Sequence, residues 1–506
     1  MKKFIWALFL ALPMFFSCTD NGEEKPDDNK TKVDPEMAIT SESEFTLDYH
    51  PATVTVTFTC NTDWKIATND LWITVSPEEG TAPDGPVTVT LACAENESLD
   101  TRKGSVYVFV GTLNKTITIH QTGNPMFGAA EELVNGSTVL ATNKNVEKFL
   151  TEVTYEDRDG WKTTKVLDYY GGFNGVAYNE NGEPDPNGTI FSWGNQPTSD
   201  KPNTYSIRWS PEDIVAGSAM TLTLEDKLGW KAETAITAGA YYVNVTNLVP
   251  NDEYTYKVTA DEGGKILAEG TFTTTGHLHQ VFFRKNCRNI RDLGGWQTLD
   301  GKTVKYRKLY RGGRMQSETV DKYGRDEILA EGIGAQLDLR GSDKLDGPVI
   351  SSLAFCAPGI DEGGTTMLKR DAAKTKECFE FTVDNVRAGK GVYFHCSLGR
   401  DRTGTFDILL LGLLGVREGD IAKAYEVTYF APVGYSVSSS EKDSNPKPIF
   451  RNSRTAWAYA DVVPYFWELA DQTEGKTFAD GVQKYLLDVA GVSQKDIDDF
   501  RSLMLE

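Results

Sequence analysis

A cysteine and an arginine lie six positions apart, at 396 and 402, in a short glycine-containing segment of this 506-residue chain. The segment reads H-C-S-L-G-R-D-R-T-G from His395 to Gly404, and it lies between an apolar strand, Gly391 to Phe394, and an apolar helix. Phosphoryl transfer requires an in-line nucleophile and donors aimed at the equatorial phosphate oxygens. The segment contains both, so it predicts a phosphate-binding loop that carries its own nucleophile.

Cys396 is the predicted nucleophile because it precedes the helix that Arg402, Thr403 and Gly404 begin. A cysteine reacts as its thiolate, and a helix N-terminus surrounded by backbone N–H groups favours that form over the free residue, whose pKa is about 8.5. The N–H groups from Ser397 to Arg402 can form such an anion-binding nest, and the helix dipole adds to it. We therefore expect Cys396 to ionise readily.

The other loop residues are predicted to bind the phosphate. Ser397 and Leu398 contribute to the nest, and Gly399 lets the chain bend. Arg402 offers a planar guanidinium that can hold two phosphate oxygens at once, which lysine cannot do. The hydroxyl of Thr403 is suited to stabilise the thiolate as it leaves.

Three further segments accompany the loop. Asn289 to Gly295 reads N-I-R-D-L-G-G, Leu309 to Gly312 reads L-Y-R-G, and Ile333 to Arg340 reads I-G-A-Q-L-D-L-R. With the loop they resemble the bacterial members of the cysteine-dependent tyrosine and lipid phosphatases, over residues 280–506. The resemblance implies Cys396 as nucleophile, Arg402 as phosphate clamp and His395 as the residue that braces the loop, without a metal or other cofactor.

A general acid is also implied, because an alkoxide or phenoxide leaves slowly unless a carboxylic acid protonates it. Asp361 lies in A-P-G-I-D-E-G-G, where the family places its mobile acid loop, and is the favoured candidate. Asp401, inside the phosphate-binding loop, is the alternative. Asp338 and Arg340 are predicted to form a structural pair at the end of their strand.

The substrate class stays open at this stage. Arg400 stands where lipid-selective relatives often carry lysine, which keeps a positive charge at the pocket mouth but changes its bonding. Phosphotyrosine is the leading substrate, and a phosphorylated protein or a small phosphomonoester is the expected partner. Phosphoinositides or inositol phosphates are the alternative, and a glycan-binding surface lipoprotein with a vestigial phosphatase domain is a third hypothesis.

The N-terminus predicts export. Residues 1–18 combine Lys2 and Lys3 with an apolar run and end at Cys18, a pattern typical of a lipoprotein signal whose cysteine is acylated. Residues 19–40 are acidic and polar, which predicts a tether. We expect a bacterial protein that contacts its membrane, most simply the outer membrane, through the lipid anchor alone and faces the periplasm or the cell surface.

Two β-sandwiches are predicted before an α/β domain. Residues 41–123 alternate in short apolar runs and resemble a BACON domain, for which a glycan contact and a plain spacer role both stay open. Residues 127–276 resemble a fibronectin type III domain with inserted loops; Tyr254 is its expected corner tyrosine, bonding back to the backbone. Residues 280–506 then alternate helices with strands, which favours an α/β cysteine-phosphatase fold with a partly parallel sheet. The predicted elements include helices at 318–330, 372–387 and 403–414 and a strand at 336–339.

Charge and side-chain types exclude other classes of function. The formal net charge of −21 leaves no general basic surface for nucleic acid. The five histidines show no metal-ligand spacing, so no metal site is predicted. The pairing of Cys60 with Cys93 stays open, with two free thiols favoured.

Overall fold

The structure is a computed structural model that describes residues 33–98, 100–151, 201–210, 213, 217–284, 287–431 and 461–506, with four two-residue strands between 155 and 185. Cys18, the predicted signal and most of the tether lie outside the described residues. The chain divides into two compact units, which meet in sequence between Phe127 and Gly128.

The first unit is a β-sandwich of two sheets, with strand orders β1-β3-β7-β5 and β2-β9-β8-β4-β6. Its strands alternate buried and exposed residues, so each sheet contributes one face to the core. Trp64 belongs to that core, only 7% exposed and edge-on to Phe58. The strands are β1 (Met37–Ile39), β2 (Glu44–Leu47), β3 (Ala52–Cys60), β4 (Trp64–Thr68), β5 (Ile73–Ser76), β6 (Glu79–Gly80), β7 (Val87–Cys93), β8 (Arg102–Val110) and β9 (Leu113–Gln121).

Cys60 and Cys93 are free thiols in this sandwich. In the register of β3 and β7, Cys93 lies opposite Ala52, at the other end of β3 from Cys60. Eight residues of strand separate the two positions by about 26 Å, far beyond the Cα separation of about 6 Å that a disulfide requires. The favoured interpretation of two unpaired thiols therefore has a geometric reason.

The second unit begins with another pair of sheets, ordered β11-β21-β20-β17-β18 and β10-β16-β19. Tyr254 is fully buried, and its hydroxyl accepts a hydrogen bond of 2.9 Å from the backbone N–H of Val249, as predicted for a corner tyrosine. The strands are β10 (Glu131–Glu132), β11 (Thr138–Leu140), β12 (Tyr155–Glu156), β13 (Lys162–Thr163), β14 (Ala177–Tyr178), β15 (Pro184–Asp185), β16 (Tyr205–Arg208), β17 (Met220–Asp226), β18 (Lys231–Ile236), β19 (Tyr242–Val245), β20 (Glu253–Ala260) and β21 (Ile266–Thr275).

The α/β part of the second unit has a five-stranded sheet, ordered β22-β23-β26-β24-β25. β23, β26, β24 and β25 run parallel and β22 antiparallel, so the predicted partly parallel sheet is present. The strands are β22 (Arg291–Asp292), β23 (Leu309–Gly312), β24 (Ile333–Asp338), β25 (Ala354–Cys356) and β26 (Gly391–His395). β26 is central and buried throughout, which places its carboxyl end at the edge where such sheets bind ligands.

Helices pack against the strands of this sheet. The helix predicted from Glu318 starts later, at Lys322, because the side chain of Asp321 caps it by accepting from the Gly324 N–H. The helices are α2 (Lys322–Ala330), α3 (Gly364–Arg370), α4 (Ala372–Arg387), α5 (Asp401–Leu413), α6 (Glu418–Glu426), a 3₁₀ turn (Val427–Phe430), α7 (Val462–Ala470), α8 (Phe478–Lys484), a π turn (Tyr485–Ala490) and α9 (Gln494–Met504). In the part of the chain that the structure describes, none of the helices combines the length and the apolarity needed to cross a bilayer.

A helix from the upstream segment joins the α/β core. α1 (Lys144–Thr151) follows β11, and its Val146, Phe149 and Leu150 are buried in the same core cluster as the helices of the α/β part. Lys423 of α6 donates to the Leu150 carbonyl at 2.8 Å, and the Phe149 and Phe430 rings lie 5.4 Å apart. The second sandwich and the α/β layer are therefore packed together as one body rather than as separate modules.

Candidate active site

The predicted phosphate-binding loop lies between β26 and α5. β26 ends at His395, Cys396 follows it at 3% exposure, and α5 begins at Asp401. α5 is buried on all sides from Thr403 to Leu413, which explains the uninterrupted apolar run in its sequence. A buried strand and a buried helix thus fix both ends of a loop of only five residues.

Three neighbouring segments hold the carbonyl groups of this loop. The Asn289 side-chain amide donates to the Leu398 and Gly399 carbonyls at 3.2 and 3.0 Å. Arg311 donates to the Gly399 carbonyl at 2.6 Å, and the backbone N–H of Arg314 donates to the Ser397 carbonyl at 3.2 Å. The loop carbonyls are therefore turned away from the anion site and towards the N-I-R-D-L-G-G and L-Y-R-G segments.

The N–H side of the loop is left open. Among the described residues, the backbone N–H groups of Ser397, Leu398 and Gly399 have no hydrogen-bond acceptor. Gly399 adopts φ +72°, and a Cβ there would overlap the Gly312 backbone, so only glycine fits. The buried hydroxyl of Thr403 also lacks a partner within the described chain. Together these groups form a set of donors that an oxyanion can satisfy.

Arg402 lies beside this donor set. Its Nη1 donates to the Ile360 carbonyl at 3.0 Å, and its Nη2 lies 3.5 Å from Ser397 Oγ. The side chain is 16% exposed, so the guanidinium is partly shielded but accessible to a ligand. The structure thus brings the predicted nucleophile loop and the predicted phosphate clamp together.

Asp361, the favoured acid, lies at the edge of the same site. It directly follows Ile360, whose carbonyl binds Arg402, and its carboxylate packs so closely on Gly341 that a Cβ there would overlap it. Asp361 is exposed, and its carboxylate accepts no hydrogen bond from the described residues. Asp361 therefore lies next in sequence to the residue that binds Arg402, and its carboxyl group is not engaged by a donor of the described chain.

Asp401, the alternative acid, is bound instead to its neighbour. Arg400 donates to both of its oxygens, at 3.0 and 3.2 Å, and the two side chains are 13% and 23% exposed. This bidentate pair occupies the Asp401 carboxylate and neutralises part of the charge of Arg400. The geometry therefore favours Asp361 over Asp401 as the group free to donate a proton.

His395 is completely buried behind the loop. The Gln336 amide nitrogen lies 3.0 Å from His395 Nε2 and 2.9 Å from the Met315 carbonyl, so it donates to both. The imidazole proton is then assigned to Nδ1, which faces the Cys396 carbonyl at 3.3 Å. Burial lowers the pKa of His395 to about 4, so the ring that supports the nucleophile is neutral at pH 7.

Asp338 and Arg340 form a bidentate ion pair at the end of β24. Arg340 Nε and Nη2 donate to the two Asp338 oxygens at 2.9 Å each, and Nη1 donates to Gln316 at 2.9 Å. Burial opposes the charged form of Arg340, but the hydrogen bonds to Asp338 and the negative charges of Asp338 and Asp343 together outweigh burial and raise the pKa of Arg340. The pair fixes the strand end that borders the Cys396 loop.

Comparisons with known proteins agree with this arrangement. Residues 284–506 match the model described as "Tyrosine phosphatase family", and residues 62–122 match the BACON model, described as "Putative binding domain, N-terminal". The C-terminal part of the chain is thus similar to the tyrosine phosphatase family. The Cys396 loop, the segments that hold it and the five-stranded sheet all lie within the matched range.

One curated relative of the phosphatase domain is named "Putative tyrosine-protein phosphatase", from Cupriavidus necator. It is 28% identical over 162 residues, which are 27% of this chain and 59% of the relative, so the chain spans less than two thirds of that protein. Among solved structures, TpbA of P. aeruginosa aligns at 14% identity over 26% of this chain and 85% of its own, with a TM-score of 0.18. A protein from Bacteroides thetaiotaomicron aligns at 14% identity over 20% and 97%, with a TM-score of 0.14.

Sequence reasoning missed several residues that support the phosphatase loop. Arg291 donates to the Asn289 side chain at 2.5 Å and to the Ala424 carbonyl at 2.6 Å. It therefore links Asn289, which binds the loop carbonyls, to α6. Arg311 forms a buried ion pair with Asp407 of α5. Asp407 was detectable in the sequence, because a single charge inside the apolar run of α5 requires a buried partner.

Proposed function

We propose that this protein is a cysteine-dependent phosphatase that hydrolyses phosphomonoesters through a phosphocysteine intermediate. One observation carries the proposal: the carbonyls of the loop after Cys396 are bound from behind, whereas its N–H groups at residues 397–399 have no acceptor among the described residues and Arg402 lies beside them. Such an arrangement stabilises the charge of a trigonal phosphoryl group without reorganisation during the reaction.

In the first step, the Cys396 thiolate attacks phosphorus, the P–O bond to the leaving group breaks, and Asp361 gives its proton to the leaving oxygen. In the second step, the Asp361 carboxylate removes a proton from water, the water oxygen attacks phosphorus, and the S–P bond breaks to release inorganic phosphate. The Thr403 hydroxyl is available to stabilise the thiolate that leaves in this step. Arg402 holds two phosphoryl oxygens throughout.

Phosphotyrosine is the proposed substrate class, supported by the family of the matched domain and by the relative's description. Phosphoinositides and inositol phosphates remain the alternative, because Arg400 adds a cation beside the loop. We further propose that the protein is exported and anchored by a lipid on Cys18, with the membrane contacted only by that anchor. No group of three or more metal-binding side chains occurs among the described residues, and we propose turnover without a metal ion.

The full chain should hydrolyse p-nitrophenyl phosphate in the presence of EDTA. Cys396→Ser should lower kcat for this substrate by at least about 10⁴-fold. Cys356→Ser is a matched control, because that thiol is also buried but its pKa is raised to about 12 by burial, which makes it a poor nucleophile. Retained turnover in Cys396→Ser would show that the nucleophile is wrong.

The glycan-binding hypothesis has one structural feature in its favour. Tyr107 and Phe109 of β8 are 37% and 40% exposed, with ring centroids 6.3 Å apart and tilted by 33°. Exposed aromatic rings of this kind can stack on sugars, whereas Trp64 is a core residue and cannot. A full chain that binds polysaccharide but turns over no phosphate ester would favour the adhesin alternative over the enzyme.

A further inference from the structure

A second carboxylate lies against the phosphate-binding loop and has no part in the reaction above. Asp343 belongs to the segment that follows β24, and its Oδ2 accepts a hydrogen bond of 3.0 Å from Ser397 Oγ. Its Oδ1 lies 4.0 Å from Arg402 Nη1, and its Oδ2 lies 3.9 Å from Arg340 Nη1. The side chain of Asp343 therefore approaches the same donors that would bind a phosphate.

The segment that carries Asp343 is fixed at its base but free at its tip. The Leu345 N–H donates to Asp338 Oδ2 at 2.9 Å, and the Lys344 N–H donates to the Gly341 carbonyl at 3.2 Å. The Asp343 side chain itself is 53% exposed, compared with 16% for Arg402. A rotation of this side chain into solvent therefore needs no rearrangement of the backbone.

We propose that Asp343 is a gate carboxylate that accepts from the Ser397 hydroxyl, lies beside the Arg402 guanidinium and rotates away when an oxyanion binds. The proposal rests on the proposed function, since it concerns the same loop. A carboxylate has the charge and the oxygen spacing to satisfy a hydroxyl and a guanidinium. Phosphate entry breaks the Ser397 hydrogen bond and brings two anions close together, so Asp343 weakens the binding of every oxyanion.

This weakening has a kinetic signature. Repulsion from Asp343 acts on the bound substrate and on the transition state alike, because both carry the phosphoryl group in the same place. An effect common to both changes KM and leaves kcat nearly unchanged. A proton donor would instead change kcat, and most strongly for substrates with poor leaving groups.

Asp343→Asn in the full chain tests the gate, because asparagine keeps the shape and the acceptor for Ser397 but removes the charge. We expect the Kd for inorganic phosphate, measured by calorimetry at pH 7, to fall about fivefold, and the KM for p-nitrophenyl phosphate to fall by a similar factor. Asp346→Asn is the matched control: it removes the same charge from the same exposed segment, where Asp346 has no polar partner among the described residues. Its Kd should stay at the wild-type value.

Three other results would overturn the gate. An unchanged phosphate Kd in Asp343→Asn, with clear binding by the wild type, refutes the gate and leaves the proposed function intact. A fall in kcat confined to poor leaving groups, without a change in Kd, makes Asp343 a proton donor instead. A wild-type chain that binds no phosphate removes both the gate and the anion site on which the proposed function depends.

Discussion

The helix α1 should stabilise the phosphatase domain although it lies more than 130 residues before the matched range begins. Phe149 is fully buried in the main core cluster, with its ring 5.4 Å from that of Phe430. Truncation of a buried phenylalanine to alanine costs about 3–5 kcal/mol, since the lost transfer free energy adds to the cost of the cavity. Phe149→Ala should therefore lower the free energy of unfolding of the second unit by that amount.

The loss of stability in Phe149→Ala should be measurable by enzyme activity as well as by spectroscopy. α1 contacts α6 through the hydrogen bond from Lys423 to the Leu150 carbonyl. In turn, the Ala424 carbonyl of α6 accepts from Arg291, and Arg291 orients the Asn289 side chain that holds the Cys396 loop. With a urea m-value of about 3–4 kcal/mol/M, the midpoint of urea-induced activity loss should fall by about 1 M. Tryptophan fluorescence measured on the same samples should show a parallel shift.

Tyr323→Ala provides the control for this experiment, because Tyr323 is 60% exposed on α2 and its loss should cost less than about 1 kcal/mol. The reasoning is refuted if Phe149→Ala keeps its activity midpoint within roughly 0.2 M of the wild type, well inside the shift expected from the m-value. The phosphatase domain would then be independent of the upstream helix.

Two other predictions concern the site itself. Asp361→Asn should lower kcat by at least about 100-fold for a phenyl phosphate with a poor leaving group, and far less for p-nitrophenyl phosphate. If Asp401→Asn shows this difference between substrates and Asp361→Asn does not, the general acid is Asp401. The pKa of His395 is about 4 in the folded protein and about 6.5 in the unfolded chain, so between these pH values the unfolded chain binds a proton that the folded protein does not. The stability that comes from burying neutral His395 is therefore complete above pH 6.5 and is lost as the pH falls towards 4. The loss amounts to about 3 kcal/mol of the free energy of unfolding. Between pH 7 and pH 4, the urea midpoint of His395→Asn should therefore fall less steeply than that of the wild type. Equal slopes would contradict the lowered pKa of His395.

Local sequence patterns predicted most of the elements that position the site. The helix Ala372–Arg387 has the predicted bounds, and β26 extends the predicted strand by one residue. α5 begins two residues before the start of the predicted helix and ends one residue before its end. Their apolar periodicity and flanking polar residues depend on neighbours in the chain, so one sequence suffices to find them. The nucleophile loop was predictable for the same reason, since its chemistry is confined to eight consecutive residues.

Contacts between distant segments could not be predicted in this way. Lys423 donates to Leu150 across 273 positions, and Arg311 pairs with Asp407 across 96. Periodicity shows that a face of a helix is buried, but not which element covers it. For this reason α1 cannot be assigned to the core of the phosphatase domain from a single sequence.

The buried pair of Arg311 and Asp407 also shows why charged side chains hold the Cys396 loop. The two side chains are only 1% and 0% exposed, and a buried ion pair often stabilises a fold no more than well-packed apolar residues would. Apolar residues could fill the same volume, but they could not donate to the Gly399 carbonyl as Arg311 does. Asp407 compensates the buried guanidinium, and the guanidinium holds the carbonyl that must face away from an incoming phosphate. The pair is therefore better explained by the orientation of the Cys396 loop than by the stability of the domain.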